Sequence, residues 1–144
     1  MKLLPSLILV LCAIVTGHAQ TSAKESIDAF EAYMGQDINY PAHARAHKIQ
    51  GAVDVEFHLD PNGKVIDFKV TKDIGSTCAK EVKRVITMMP KNLRKSLTTS
   101  TSSGYFALEV LFGLNEDFRR GDTPSFSSDA LKLPPFYVTA HTIR

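Results

Sequence analysis

Residues 40–70 read YPAHARAHKIQGAVDVEFHLDPNGKVIDFKV, and the fold follows from this stretch. Val53, Val55, Phe57 and Leu59 alternate with Asp54, Glu56 and His58, a period of two that predicts a strand with one apolar and one wet face. Ahead of it, Pro41 fixes its own φ and has no N–H to lose, which suits the first turn of a short helix. Gly51 stops that helix and opens the strand. Asp60-Pro61-Asn62-Gly63 is turn chemistry, since Pro presets φ and Asn-Gly tolerates positive φ. Ile66, Phe68 and Val70 then alternate with Asp67 and Lys69, so the stretch closes as a β-hairpin.

Outward from the hairpin, Ile27, Phe30 and Met34 form an apolar stripe that predicts a helix over 21–36, with Ser22 and Glu25 spaced as a capping box. A second helix is expected from a Ser76 or Thr77 cap to Met89. Its buried face would hold Cys78, Val82, Val85 or Ile86, and Met89, and Pro90 ends it. Residues 91–104 are rich in Ser and Thr and lack periodicity, which reads as a loop. Phe106, Leu108, Val110, Phe112 and Leu114 alternate with Ala107, Glu109, Leu111 and Gly113, a third strand. Residues 115–130 read as extended or disordered, and the tail from Leu131 is apolar again. Helix, strand, strand, helix, strand implies an α+β two-layer domain: a three-stranded antiparallel sheet with helices on one face. The expected core is Val53, Val55, Phe57, Ile66, Phe68, Val70, Val85, Ile86, Phe106, Leu108, Val110 and Phe112.

Tyr40-Pro41, Ala44, Ile49-Gln50-Gly51, Val53, Val55, Phe57, Asp60, Gly63, Val65 and Val70 together form a specific spacing. Arg84-Val85-Ile86, Met89-Pro90-Lys91 and the strand from Phe106 to Leu114 continue it. Over residues 38–115 this pattern resembles the C-terminal domain of TonB, the periplasmic energy transducer. The chain departs from the family at Asn92-Leu93-Arg94, where members carry a Trp and a Pro-Gly pair, and at Ala79, where an acid is common. The resemblance implies a binding module that takes up an extended segment of an outer-membrane receptor, the TonB box, beside its last strand. Carried over by position, the partner-binding residues are Phe106, Ala107, Leu108, Glu109, Val110, Leu111, Phe112, Gly113 and Leu114, with Tyr40 and Pro41 as the neighbouring contact. The partner would be a TonB-dependent receptor or another periplasmic protein. The alternative is an assembly role in which the same edge forms a homodimer.

Lys2, the apolar run from Leu3 to Val15, and Gly17-His18-Ala19 read as a secretory leader, residues 1–19, cut after Ala19. An uncleaved inner-membrane anchor is the rival reading, and the run argues against it by falling short of the ~20 residues that span a bilayer. Removal of the leader takes Cys12 with it and leaves Cys78 alone, so no internal disulfide is expected. The expected organisation is then a lead helix at 20–37, the domain at 38–115 and a tail at 116–144. Residues 20–40 span ~70 Å at most, too short for the long Pro-rich spacer of the full transducer.

The net charge of +2 and scattered basic residues give no footprint for nucleic acid. His43 and His47 sit at i and i+4, but zinc needs three or four ligands, and His58 and Asp54 lie on a strand without ligand spacing. Cys78 falls in an apolar stripe, as an inert thiol would. The Ser/Thr run at 96–103 has no nucleophile elbow or base. No catalytic residue, metal or cofactor is therefore assigned.

What remains is the edge of the third strand, where only Glu109 places a charge on the wet side, poor protection against pairing. The tail carries a matching strand signal. Tyr137-Val138-Thr139-Ala140 favours an extended conformation, Pro134-Pro135 resist helix just before it, and the four residues are similar to the TonB box itself. Two readings of the tail stay open: it pairs with this edge as an internal plug or with a neighbour's edge as a swap, or the likeness is a coincidence in so short a motif.

Overall fold

The computed structural model describes residues 13–140, with side-chain surroundings from residue 22. In chain order the elements are α1 (Ala13–Asp37), α2 (Ala42–Ala46), β1 (Gly51–Leu59), β2 (Val65–Lys72), α3 (Cys78–Met88), α4 (Lys91–Thr98), β3 (Tyr105–Gly113), β4 (Leu131–Lys132) and β5 (Phe136–Thr139). The hairpin forms as expected: Asp60 Oδ1 accepts the N–H groups of Asn62 (2.9 Å) and Lys64 (2.8 Å), and Gly63 takes φ +78°. Gly63 is also a seat, because a Cβ there would lie 2.7 Å from the Lys95 backbone nitrogen of α4.

The sheet is α+β in class but larger than expected. Its order is β2-β1-β3-β4, with β5 also on β3; β1 pairs antiparallel with β2 and β3, while β4 and β5 run parallel to β3. Three antiparallel strands thus become a mixed sheet of five, because the tail supplies two more. One sheet face meets the helices. Phe30 and Met34 of α1, Val82, Val85 and Ile86 of α3, and Leu97 of α4 close over the odd-numbered residues of β1 and the even-numbered residues of β3 in one cluster. Burying each such side chain contributes about 1.5–3 kcal/mol. Tyr33 donates from its hydroxyl to the Val85 carbonyl (3.0 Å) and fastens α1 to α3.

Several local expectations are corrected. α1 is one helix that passes through Ser22, so Ser22 is no cap; its carbonyl accepts from the Ser26 hydroxyl (2.9 Å). Residues 1–12 of the expected leader lie outside the described residues, and the leader's remainder falls in the first turns of α1. Thr77 precedes α3 in a left-handed conformation without a side-chain cap bond, while the Ser76 hydroxyl pairs with His43 Nδ1 (3.1 Å). Residues 91–98 form α4 rather than loop, with Leu97 buried and Leu93 partly so. In the expected core, Ile66 and Val70 are 52% and 40% exposed, and Phe68 is half-buried. They lie on the outermost strand, beyond which no element packs among the described residues, and extra residues opposite β1 distort β2 at both ends.

Candidate functional site

β3 is the strand on which every sequence-predicted partner residue lies except Tyr40, Pro41 and Leu114, and both its backbone edges are used. The Leu59 N–H donates to the Gly104 carbonyl (3.0 Å), which sets the phase: odd-numbered β1 residues turn their backbone groups toward β3 and even-numbered ones toward β2. By the registers Phe57↔Phe106 and Val53↔Val110, the even-numbered β3 residues direct their N–H groups to β1. Ala107, Glu109, Leu111 and Gly113 turn theirs to the other edge. There the Ala107 carbonyl accepts from Leu133 (2.8 Å) and the Gly113 carbonyl from Ala140 (3.1 Å). β5 lies in register Val110↔Phe136 to Gly113↔Thr139, and β4 in register Phe106↔Leu131 and Ala107↔Lys132. This edge of β3 is therefore filled, by the chain's own tail. Pro134-Pro135, which have no N–H groups, interrupt the ladder between β4 and β5.

The side chains of the predicted partner residues are accordingly inside. Phe106, Leu108, Val110 and Phe112 are buried against the helices; Ala107, Leu111 and Gly113 are buried on the opposite face, and Leu114 is half-buried. Tyr40 is a core residue: its ring meets Phe112 edge-on at 5.5 Å and its hydroxyl donates to the Ile49 carbonyl. Pro41 is half-buried at the rim of an open depression beside Lys80, Glu81 and Arg84. Tyr40 thus joins the edge from beneath, through Phe112, and Pro41 does not reach it.

The opposite face, read as wet, is covered by residues 115–130. Asp54 of β1 and Glu109 of β3 are directly opposed in register, an unfavourable pair of like charges unless a cation joins them. Arg120 does so, with Nη1 at 2.8 Å from Asp54 and 3.0 Å from Glu109, while Nη2 reaches Asp122 at 3.0 Å. Asp54 is only 2% exposed. Asp122 also pairs with Lys72 of β2. The Arg120 guanidinium and the Lys72 ammonium hold the Asp122 carboxyl well below its usual range. Bonds to Asp122, Asp54 and Glu109 hold the guanidinium protonated against the cost of burial. Farther along, Glu56 accepts from the backbone N–H and hydroxyl of Ser127. Residues 115–130, read from sequence as extended or disordered, thus form a strap bonded across the sheet, and the opposed Asp54 and Glu109 were the available signal for it.

Between the strap and β5 lies a cleft of about 370 Å³ lined by Leu111, Gly113, Phe118, Arg119, Tyr137 and Thr139. The Arg119 guanidinium stands 6.0 Å over the Tyr137 ring.

The remaining candidates stay apart. His43 and His47 stack on each other at 4.1 Å, His58 stacks on Tyr105 at 3.9 Å, and Asp54 is taken by Arg120. Among the described residues no three metal-ligating side chains converge. Burial pushes the Cys78 thiol up to about 11, away from nucleophilic chemistry. Glu81 is pushed up by burial but held below its usual range by Arg84 and by the Asn39 N–H, an arrangement that ties the end of α1 to α3.

The sequence model of the Gram-negative bacterial TonB protein C-terminal family matches residues 36–109, half of the chain. The chain belongs to this TonB family. Its matched segment runs from the end of α1 into β3, and the strap and tail follow it. TonB C-terminal domains are non-enzymatic, envelope-associated modules that interact with outer-membrane receptors in transport. Comparison with curated proteins and with solved structures gives no match for this chain. No helix among the described residues is long and apolar enough to cross a membrane.

Proposed function

We propose that this TonB-type domain is a periplasmic binding module. It takes up an extended segment of an outer-membrane receptor, or of another periplasmic partner, by strand addition on the β3 edge. The observation that carries the reading is β5, because a strand of four residues, Phe136–Thr139, already sits on that edge. Main-chain hydrogen bonds give such a site its affinity, and pockets for alternate side chains give it selectivity. An incoming segment takes the place of β5 and turns one side chain toward the site now filled by buried Val138 and the next toward the Tyr137 cleft. The tether gives the tail an effective concentration near millimolar, so the partner must be the better ligand. The interrupted ladder at Pro134-Pro135 separates β5 from β4 and lets the last segment leave first. Export by the leader of residues 1–19 places the domain where such receptors present their periplasmic ends.

Deletion of residues 131–144 tests this reading. With the fold verified by circular dichroism, the truncated protein should bind a receptor-box peptide at least about tenfold more tightly than the whole chain, as removal of a competing intramolecular strand requires. Leu111→Pro in the truncated background removes an edge-facing N–H and should abolish the gain. Equal affinity before and after truncation would sink the reading. Loss of a dimer on truncation would instead favour assembly by exchange of the tail between copies.

A further inference from the structure

The second outer edge of the sheet, β2, is open among the described residues. We propose that it is a homodimer seam, in which β2 pairs antiparallel with β2 of a second copy about a two-fold axis at Phe68.

The backbone is poised for this. The Asp60 N–H donates to the Lys64 carbonyl (2.9 Å), which continues the rule that even-numbered β1 residues bond toward β2. Phe68 stands opposite Phe57, an odd-numbered residue, so this pair is not hydrogen-bonded and the Phe68 N–H and C=O turn outward. The outward N–H is held by the carboxylate of Asp67 (2.9 Å), a local cap on an unpaired strand group. Phe68 set against its own copy would exchange both backbone bonds with it.

The side chains are self-complementary about that point. The segment reads Ile66-Asp67-Phe68-Lys69-Val70. Over the regular stretch, antiparallel pairing on itself sets Asp67 against Lys69 and Phe68 against Phe68, while Ile66, which has no partner on β1, and Val70 flank these oppositions. Each opposition except the central one occurs twice, by symmetry, as an isologous contact requires. Asp67 and Lys69 lie on one sheet face, opposite His58 and Glu56, and both are exposed with no ion pair among the described residues. Ile66 and Val70 are two of the large apolar side chains that the described structure leaves to solvent. The charges on this edge oppose indiscriminate pairing but match a second copy, which is how an edge selects one partner. The irregularities at Asp54/Val55 and His58/Leu59 confine the regular ladder to the middle of β2. The contact is therefore of the small, reversible kind.

Sedimentation velocity of the exported chain, from low micromolar to submillimolar, should show a monomer–dimer equilibrium. Asp67→Lys and Lys69→Asp each turn two attractive oppositions into two repulsive ones and should raise the dissociation constant about tenfold or more. Neither residue packs in the core, and circular dichroism verifies the fold. An equimolar mixture of the two variants should recover the dimer, because every charged opposition in the mixed pair again sets a lysine of one copy against an aspartate of the other. A wild type that stays monomeric throughout would overturn the proposal, as would variants that dimerise as well as wild type or a mixture that does not recover. Deletion of residues 131–144 should leave this dimer intact, which separates its fate from that of the β3 edge.

Discussion

The two edges of one sheet have met opposite ends. On the β3 side, two short strands of the chain's own tail complete the ladder, and the side chains of the strand beneath are buried on both faces. On the β2 side nothing follows among the described residues; Ile66 and Val70 stand in solvent, and an outward N–H is capped by its neighbour's carboxylate. Part of the difference is hydrophobicity, since β3 is apolar but for Glu109 while β2 carries Asp67, Lys69, Thr71 and Lys72. The rest is reach: the tail emerges on the β3 side, and residues 115–130 bring it back across the sheet. Open edges invite pairing; here one edge is covered by the chain's own strand and the other carries the exposed charges of Asp67 and Lys69.

The comparison can be broken most severely through the strap that backs both edges. Arg120→Ala leaves Asp54 and Glu109 opposed without a cation in a nearly dry site, and loss of one partner from a buried ion pair costs about 3–5 kcal/mol. The expected outcome is a global loss of stability in denaturant titration. A loss confined to the tail would mean that the strap serves the β3 edge alone.

A smaller and more selective change sharpens the contrast. Val138→Asp puts a carboxylate into the buried site under β5 and should unseat that strand at a local cost of about 1–3 kcal/mol. Hydrogen exchange at the Leu111 amide, which faces β5, should quicken about tenfold or more, with the Phe57 and Val55 amides unchanged. Equal acceleration at all three would show that the sealed edge is not a separate unit.

The smallest expected effect is in acid. Asp122 links the strap to Lys72 on the open strand, and its folded-state carboxyl titrates below the ordinary value of 3.8. A depressed carboxyl contributes stability that is complete above its unfolded value and is lost as pH falls through the folded one. Part of the acid loss of melting temperature below about pH 4 should therefore vanish in Asp122→Asn, which should be less stable than wild type at neutral pH by that same increment, a small one because the group is largely exposed and screened. An unchanged acid slope in the variant would remove Asp122 from the account of either edge.

Local chemistry determined much of this protein from sequence alone. The alternation in 51–59 and 105–113, the Asp60–Gly63 turn and the Ile27, Phe30, Met34 stripe are set by neighbours a few residues apart, and each appears where those neighbours demand it. The family pattern was legible for the same reason, and so was the strand signal of Tyr137–Ala140. Only the tertiary structure decided what each face and edge would meet. Period-two polarity marks Asp54 as wet, yet Arg120, 66 positions away, makes its site dry and paired. Ile66 and Val70 carry a core pattern but lie on the last strand, where no layer closes over them among the described residues. α4 has two apolar anchors, Leu93 and Leu97, too few for a periodic signal, and takes its place from packing on Gly63 and α1. Burial and pairing are properties of contacts between distant segments, and the pattern of one segment cannot carry them.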